Sequence, residues 1–394
     1  MPRLPEDVRK YYIYRALLKR FILPVLVVYG LDRGLSLEQL SLVAGIGSVM
    51  SFFLEVPSGA LADHIGHKKA LIISMLGQAL SMVCYLGGSF WWILLGAGMY
   101  FAFGSLMTGT SEAIFYERLK ALGLEHDHAK LYGQGKGFAT AVSIGSMALA
   151  GIFYELAWWL PFAVGAIQYL AAAAIISTFG PTKQTVSVQK QEGLMKFFTH
   201  FGEAMRAIWH NPKAFWLTMS SALIIGPLFA LGDFQQAVMT ELGMSVTVIG
   251  LVYALKRVFS VGLQSYTYKI TKVVSPFFFT FVCALMMVSH LLLVGVIHDP
   301  WLILIPFVIG SISWTGLEVA TNEYLNKLLD TGSRATALSM TNLARSSIQV
   351  LTLIVFAWLS HKSASFAYSS IGLIVGFALV VPLVKLYEIY HPKH

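Results

Sequence analysis

Apolar runs of about 20 residues recur along the chain, each closed by glycine, proline or charged residues, and a helix of about that length crosses roughly 30 Å of hydrocarbon. Read this way, the pattern predicts helices near 11–31, 39–62, 69–88, 92–118, 132–154, 159–179, 213–236, 246–267, 274–297, 301–327, 335–360 and 365–388. Short segments of strictly alternating polarity, the mark of a membrane barrel, do not recur. The connections are short apart from one polar stretch at 181–212, which begins PTKQTVSVQKQEG. The expected architecture is therefore all-α and integral to a membrane. It has twelve transmembrane helices in two six-helix bundles, at 1–180 and 213–394, joined by a cytoplasmic linker at 181–212.

The two halves repeat. LDRGLSLEQLSLV follows the first span and MTELGMSVTVIGLV the seventh, which pairs Gly34 with Gly243 at an offset of 209 residues. The same offset brings Trp92 onto Trp301 and Lys136 onto Arg345. One gapless offset across three landmarks indicates a duplicated six-helix unit, so the bundles are expected to be pseudo-symmetric. Parallel repeats of this kind place a substrate site near the bilayer midplane.

Composition agrees and adds orientation. The 394 residues are 56% hydrophobic and 12% charged, against about 25% charged in soluble domains. If the amino terminus is cytoplasmic, the cytoplasmic loops and ends hold about nineteen Lys and Arg and the outer loops about two, Arg33 and Lys362, a strong positive-inside bias. Both termini are thus expected in the cytoplasm and the chain in the cell inner (plasma) membrane. The net charge of +8 is then accounted for by topology and membrane lipids, with no nucleic-acid partner. The start, MPRLPEDVRKYY, is polar and leads directly into the first span, so no cleavable signal peptide is expected. Cys84 and Cys283 lie in apolar runs, where a thiol behaves as a small hydrophobe.

Ionisable residues at membrane depth cost about 2.5–3.5 kcal/mol on insertion scales and are functional by default. The first span is too short without Arg15, Lys19 and Arg20, and Tyr12, Arg15 and Lys19 share a helical face. Lys256 and Arg257 fall near the midplane of the eighth span, and Asp233 in the seventh is followed by Gln235 and Gln236. The substrate-binding candidates are Lys19, Asp233, Gln236, Lys256 and Arg257, with Tyr29 and Trp314 as apolar walls. Glu112, Asp233 and Glu318 are the proton-coupling candidates, since a carboxylate in a low dielectric takes up a proton more readily. Glu55 and Glu323 are placed at the cytoplasmic gate. Lys136 and Arg345, equivalent under the repeat, are candidates for matched gating. Two local groups, Asp63 with His64 and His67, and His126 with Asp127 and His128, lack the spacing and further ligands of a metal site. No metal, cofactor or enzymatic activity is expected, and the absence of a nucleotide-binding loop argues against an ATP-driven pump.

The stretch SGALADHIGHKK resembles the signature between the second and third helices of the major facilitator superfamily, Gly-x-Leu-x-Asp-Arg-x-Gly-Arg-Lys, matched at Gly59, Leu61, Asp63, Gly66 and Lys68. GTSEAIFYERL and RATALS also resemble segments of the family's bacterial exporters. The chain departs from the family where an arginine is usual near Ala97, and where SIGSMALAG stands in place of a Gly-Pro pair. The resemblance implies a secondary transporter working by alternating access. The favoured version is proton-coupled efflux of a small amphiphilic drug or metabolite by a monomer, driven by the proton gradient; the alternative is a proton-coupled importer or uniporter of a polar or anionic solute. It also implies a gating role for Gly59, Asp63, His64, Gly66, His67 and Lys68. Asp63 would hold the cytoplasmic side closed against the start of the eleventh span, Gly59 and Gly66 would allow close packing and a tight turn, and Lys68 would anchor the loop at the headgroups. His64 and His67 stand where arginine is usual. Histidine titrates near pH 6.5, so the latch is expected to loosen as cytoplasmic pH rises.

Overall fold

The computed structural model describes residues 4–18, 21–180, 211–329 and 331–392; side chains at 52, 55, 56, 265, 268 and 331–337 are outside the description. The expected linker at 181–212 falls almost wholly outside the described residues. So does Lys19, while the backbone at Glu55 is described without its side chain.

Every predicted span has its helix or helix pair. In the first half these are α1 (Glu6–Leu17), α2 (Leu26–Asp32), α3 (Leu37–Ile65), α4 (His67–Tyr85), α5 (Phe90–Ser105), α6 (Thr110–Ala121), α7 (His128–Leu156) and α8 (Leu160–Ser177). The second half has α9 (Pro212–Leu231), α10 (Gln235–Glu241), α11 (Val246–Ile270), α12 (Pro276–Val296), α13 (Leu304–Leu328), α14 (Thr331–Leu359) and α15 (Ala364–Tyr390). Among the described residues, nine helical stretches are long and apolar enough to cross a membrane. Their outer faces carry large apolar side chains such as Phe377 and Trp358, 83% and 74% exposed. A water-soluble fold rarely leaves so much apolar surface bare, whereas lipid accepts it.

Polar side chains fix the helix starts. Ser36 and Gln39 form a reciprocal capping box on α3, a device worth about 1 kcal/mol. Asn211, Ser275 and Ser363 cap α9, α12 and α15 through the amides of Ala214, Phe278 and Phe366. The amino end of α11 is held by α7, where Glu155 accepts from the Thr247 amide at 2.9 Å and its hydroxyl at 2.7 Å. There Gly151 permits close backbone approach, since a Cβ on it would meet the Val246 carbonyl oxygen at 2.2 Å.

Three spans are broken, which hydropathy does not reveal. The first turns at 21–25 around Pro24, the fourth at Leu106–Gly109 with Gly109 at φ 76°, and the seventh at Gly232–Phe234. The signature stretch, expected as a loop, also differs from expectation. Gly59, Asp63 and His64 lie in the last turns of α3, His67 and Lys68 open α4, and Gly66 alone separates the helices at φ 92°.

The duplication is visible in the backbone. Helices α2 and α10, the positive-φ glycines Gly34 and Gly243, and the starts of α3 and α11 all keep the offset of 209. Leu35 donates its amide to the Gly30 carbonyl and Met244 to that of Met239, each at 3.0 Å, in the same turn twice. The repeat lapses where α13 runs unbroken while its counterpart is divided into α5 and α6. The chain forms two compact units, Met1–Gln189 with Ser245–Ala254, and Lys190–Met244 with Leu255–His394. In the second, α9, α13, α14 and α15 close on a core of Leu217, Ala320, Tyr324, Leu325 and Leu386.

Candidate functional site

In the second unit the break after α9 turns Asp233 off the helix and buries Gln235 and Gln236 at the start of α10. Lys256 on α11 donates to Gln235 Oε1 and lies within electrostatic reach of Asp233. Its ammonium is 5.9 Å from the Phe307 ring. One turn on, Ser260 lies 2.8 Å from Ser311 on α13. Asp233, Gln235 and Lys256 are thus brought together, a half-buried cation with a carboxylate and an amide, and Gln236 follows Gln235 in the first turn of α10.

Arg257 turns to another partner. Glu318 on α13 is the carboxylate acting electrostatically on both Arg257 and Arg345, and the Arg257 Nε is buried with no hydrogen-bond partner among the described residues. Arg345, itself buried, donates to Ser221 Oγ from Nε at 3.1 Å and Nη2 at 2.7 Å, and to Asn342 Oδ1 at 3.3 Å. Trp314, four residues before Glu318 on α13, sits half-buried with Phe229 edge-on at 5.6 Å. Sequence reading missed His290, a histidine inside the apolar run of α12. It is buried with Nδ1 2.8 Å from the Pro306 carbonyl oxygen, fitting against Gly310, where a Cβ would meet its ring at 2.8 Å.

The first unit holds the remaining candidates. Glu112 is exposed in the first turn of α6, where negative charge complements the helix dipole. Lys136 is exposed on α7, so its pairing with buried Arg345 under the repeat does not carry over to environment. Tyr29, expected as a substrate wall, is instead fully buried. Its hydroxyl donates to the Tyr85 carbonyl, and its ring lies against Phe162 at 4.5 Å and Trp158 at 6.0 Å.

At the signature stretch, His67 Nδ1 is 2.7 Å from Glu117 Oε1 and Nε2 is 3.3 Å from Asp63 Oδ1, linking α3, α4 and α6 within one unit. His64 is exposed. The expected contact of Asp63 with the start of the eleventh span involves side chains outside the description. Lys68 does not reach for headgroups: its ammonium donates to the carbonyls of Ser177 and Phe179, each at 2.6 Å, capping the end of α8. A Cβ on Gly59 meets nothing within 4 Å, so close packing does not require that glycine among the described residues. Glu323, a gate candidate, accepts from Thr271 Oγ1 and pairs with Lys327 at 2.6 Å. Among the described residues, no group of three or more His, Cys, Asp or Glu forms a metal cluster.

Residues 12–353 match the sequence profile of the Major Facilitator Superfamily. The uncharacterized MFS-type transporter YxaM of Bacillus subtilis (strain 168) is 21% identical over 380 residues, covering 93% of this chain and 90% of that protein. The inner membrane transport protein YajR of Escherichia coli (strain K12) is 28% identical over 185 residues, 44% of this chain and 38% of that one. Among solved structures, a mutant of the nucleoside transporter NupG superposes with a TM-score of 0.83 at 13% identity, over 98% of this chain and all of that one.

Proposed function

Since the chain belongs to the Major Facilitator Superfamily and is a membrane transporter, we propose that it exports a small amphiphilic drug or metabolite in exchange for protons across the inner (plasma) membrane. The observation that carries the reading is the grouping of Lys256, Gln235 and Asp233 at the break between α9 and α10. A charge pair in a low-dielectric setting is held by its mutual attraction, and removing one member leaves the other uncompensated. Protonation of Asp233 removes its charge and frees Lys256 for another acceptor. Arrival of solute and departure of a proton are thereby tied to one pair of side chains, which is the requirement for coupling. Glu318, within electrostatic reach of both Arg257 and Arg345, offers a second carboxylate with the same logic, and Trp314 one turn earlier on the same helix supplies an apolar surface. Gln236 lines the turn next to Asp233.

Export is favoured by the likeness of GTSEAIFYERL and RATALS to segments of bacterial exporters. The inner membrane is favoured by the basic-loop bias and by the description of the Escherichia coli relative. The apolar faces of both units favour a monomer in direct contact with lipid, with the proton gradient as energy source and no cofactor. His64 and His67 with Gly59, Asp63, Gly66 and Lys68 form the proposed gating region of the first unit, and Lys136 on α7 and Arg345 on α14 are gating candidates each in its own unit.

The test is uptake by everted vesicles of a panel of anionic, zwitterionic and cationic amphiphilic dyes under an inside-acid gradient. Accumulation of at least one dye that disappears when the gradient is collapsed, and that Asp233→Asn and Lys256→Ala each reduce by roughly tenfold or more, is the expected result. Dye accumulation indifferent to the gradient, or normal in both variants, overturns the reading.

A further inference from the structure

We propose that Arg15, Tyr11, Tyr14, Tyr132 and Lys136 form a subsite in the first unit for the anionic group of an aromatic or amphiphilic solute, in the simplest case a carboxylate. The inference rests on the reading of the chain as a transporter of small amphiphiles and names the charge of what is carried.

The guanidinium of Arg15 is set on an aromatic frame. Its Nη1 donates to the Tyr11 hydroxyl at 3.2 Å, and its Cζ lies 4.7 Å from the centre of the Tyr132 ring and 5.8 Å from that of Tyr11. Tyrosines hold a guanidinium in place without neutralising it, so most of its five fork-like donors stay available to a carboxylate. Other embedded arginines are served differently. Arg118 has Asp7 at 3.8 Å, and Arg345 is bound by Ser221 and Asn342 with Glu318 in reach. Among the described residues no carboxylate lies within ion-pair distance of Arg15 or Lys136.

A second observation points the same way. The hydroxyl of Tyr14 is buried beside that of Ser111, which also lies 3.5 Å from the Tyr11 hydroxyl. Its ring is 5.9 Å from that of Tyr11, and its oxygen is within electrostatic reach of Arg15. It is a donor placed beside a cation.

The surroundings define the rest of the ligand. Buried Tyr11 stacks on Phe115 at 3.9 Å and 9° and backs the guanidinium, while half-buried Tyr132 lies 5.6 Å from His128, so a flat ring lines the approach. Lys136 is one helical turn from Tyr132 on the same face of α7. Lys136 and the adjacent Gly133 and Gly137 are exposed, and a Cβ on either glycine meets nothing within 4 Å. Two cations and an aromatic wall suit an anion attached to a ring or an apolar body. They do not suit a cationic drug.

The experiment is equilibrium binding to the purified full chain in lipid nanodiscs, read by thermal shift and saturation-transfer NMR, with benzoate as probe and benzyl alcohol and benzylamine as its neutral and cationic counterparts. Benzoate alone should bind; Arg15→Gln should weaken it by roughly tenfold or more, as loss of a charge-assisted bond implies, and Arg15→Lys should retain part of it. Tyr14→Phe and Lys136→Gln should each weaken benzoate by a few-fold and carry the test if Arg15→Gln does not fold. A purely structural Arg15 would lower the melting temperature of the free protein and leave the preference for benzoate intact, which overturns the proposal. Equal binding of the three probes, or no binding of benzoate, also overturns it. Gradient-driven dye transport that persists while benzoate binding is unaffected by the variants removes the subsite and leaves the transport reading standing. Selective benzoate binding without gradient-driven transport does the reverse.

Discussion

Lys68 shows what a single side chain can conceal. Its position in the signature stretch was legible in the sequence, but the carbonyls it serves, Ser177 and Phe179, lie more than a hundred residues away, and no local pattern announces them. A cation on the last carbonyls of a helix gains both hydrogen bonds and the dipole. Lys68→Ala is expected to destabilise the protein by about 1–2 kcal/mol, and Lys69→Ala, one residue along on the exposed surface, by nothing measurable. Melting curves of the two variants in the same detergent check this; equal melting temperatures would return Lys68 to a headgroup role. His67 was legible as an oddity and its partners were not. Standing between Glu117 and Asp63, it should accept replacement by arginine, which places donors between two carboxylates, and lose stability on His67→Ala by about 1 kcal/mol because both partners are partly solvated. The same melting assay decides it. Tyr29 erred the other way: an aromatic residue in a cavity-lining helix reads as a substrate wall until its hydroxyl is found on the Tyr85 carbonyl.

For whole elements the hydrophobic period was a sound guide, because length and apolarity are local quantities and lipid enforces them. The breaks in the first, fourth and seventh spans were not, since an apolar run reads the same whether its helix is continuous or turns within it. The repeat was legible because it depends on glycines whose backbone has no alternative. Gly34 and Gly243 close identical turns at φ 80° and 72°, with open space where a Cβ would stand. Only the backbone penalty is then at stake, about 1–2 kcal/mol for a left-handed non-glycine residue. Gly34→Ala and Gly243→Ala should therefore destabilise the protein by similar amounts. Gly59→Ala should stabilise it by about 0.5–1 kcal/mol, because Gly59 is inside α3 with no neighbour for its Cβ among the described residues. Thermal denaturation of the three single variants measures all three; a destabilised Gly59→Ala would mean that the glycine is kept for close packing after all.

At the scale of the molecule, charge predicts which way the chain is threaded. The basic loops lie on one side of the predicted spans and Lys362 on the other, and the translocation machinery reads that bias before any tertiary structure exists. An orientation can therefore be predicted from sequence, whereas substrate and direction of transport depend on where side chains meet in space. The two native cysteines, Cys84 and Cys283, are buried, so a thiol introduced at the surface can be read against a quiet background. Lys362→Cys, exposed just before α15, should react with a membrane-impermeant maleimide in intact cells. Lys272→Cys, exposed between α11 and α12, should react only after the membrane is opened. Reversed labelling would invert the topology and place the His67 cluster outside the cell, and with it the direction in which a proton bound at Asp233 would travel. Labelling of both positions in intact cells would mean a mixed population, which an asymmetry of about nineteen basic residues against two does not permit.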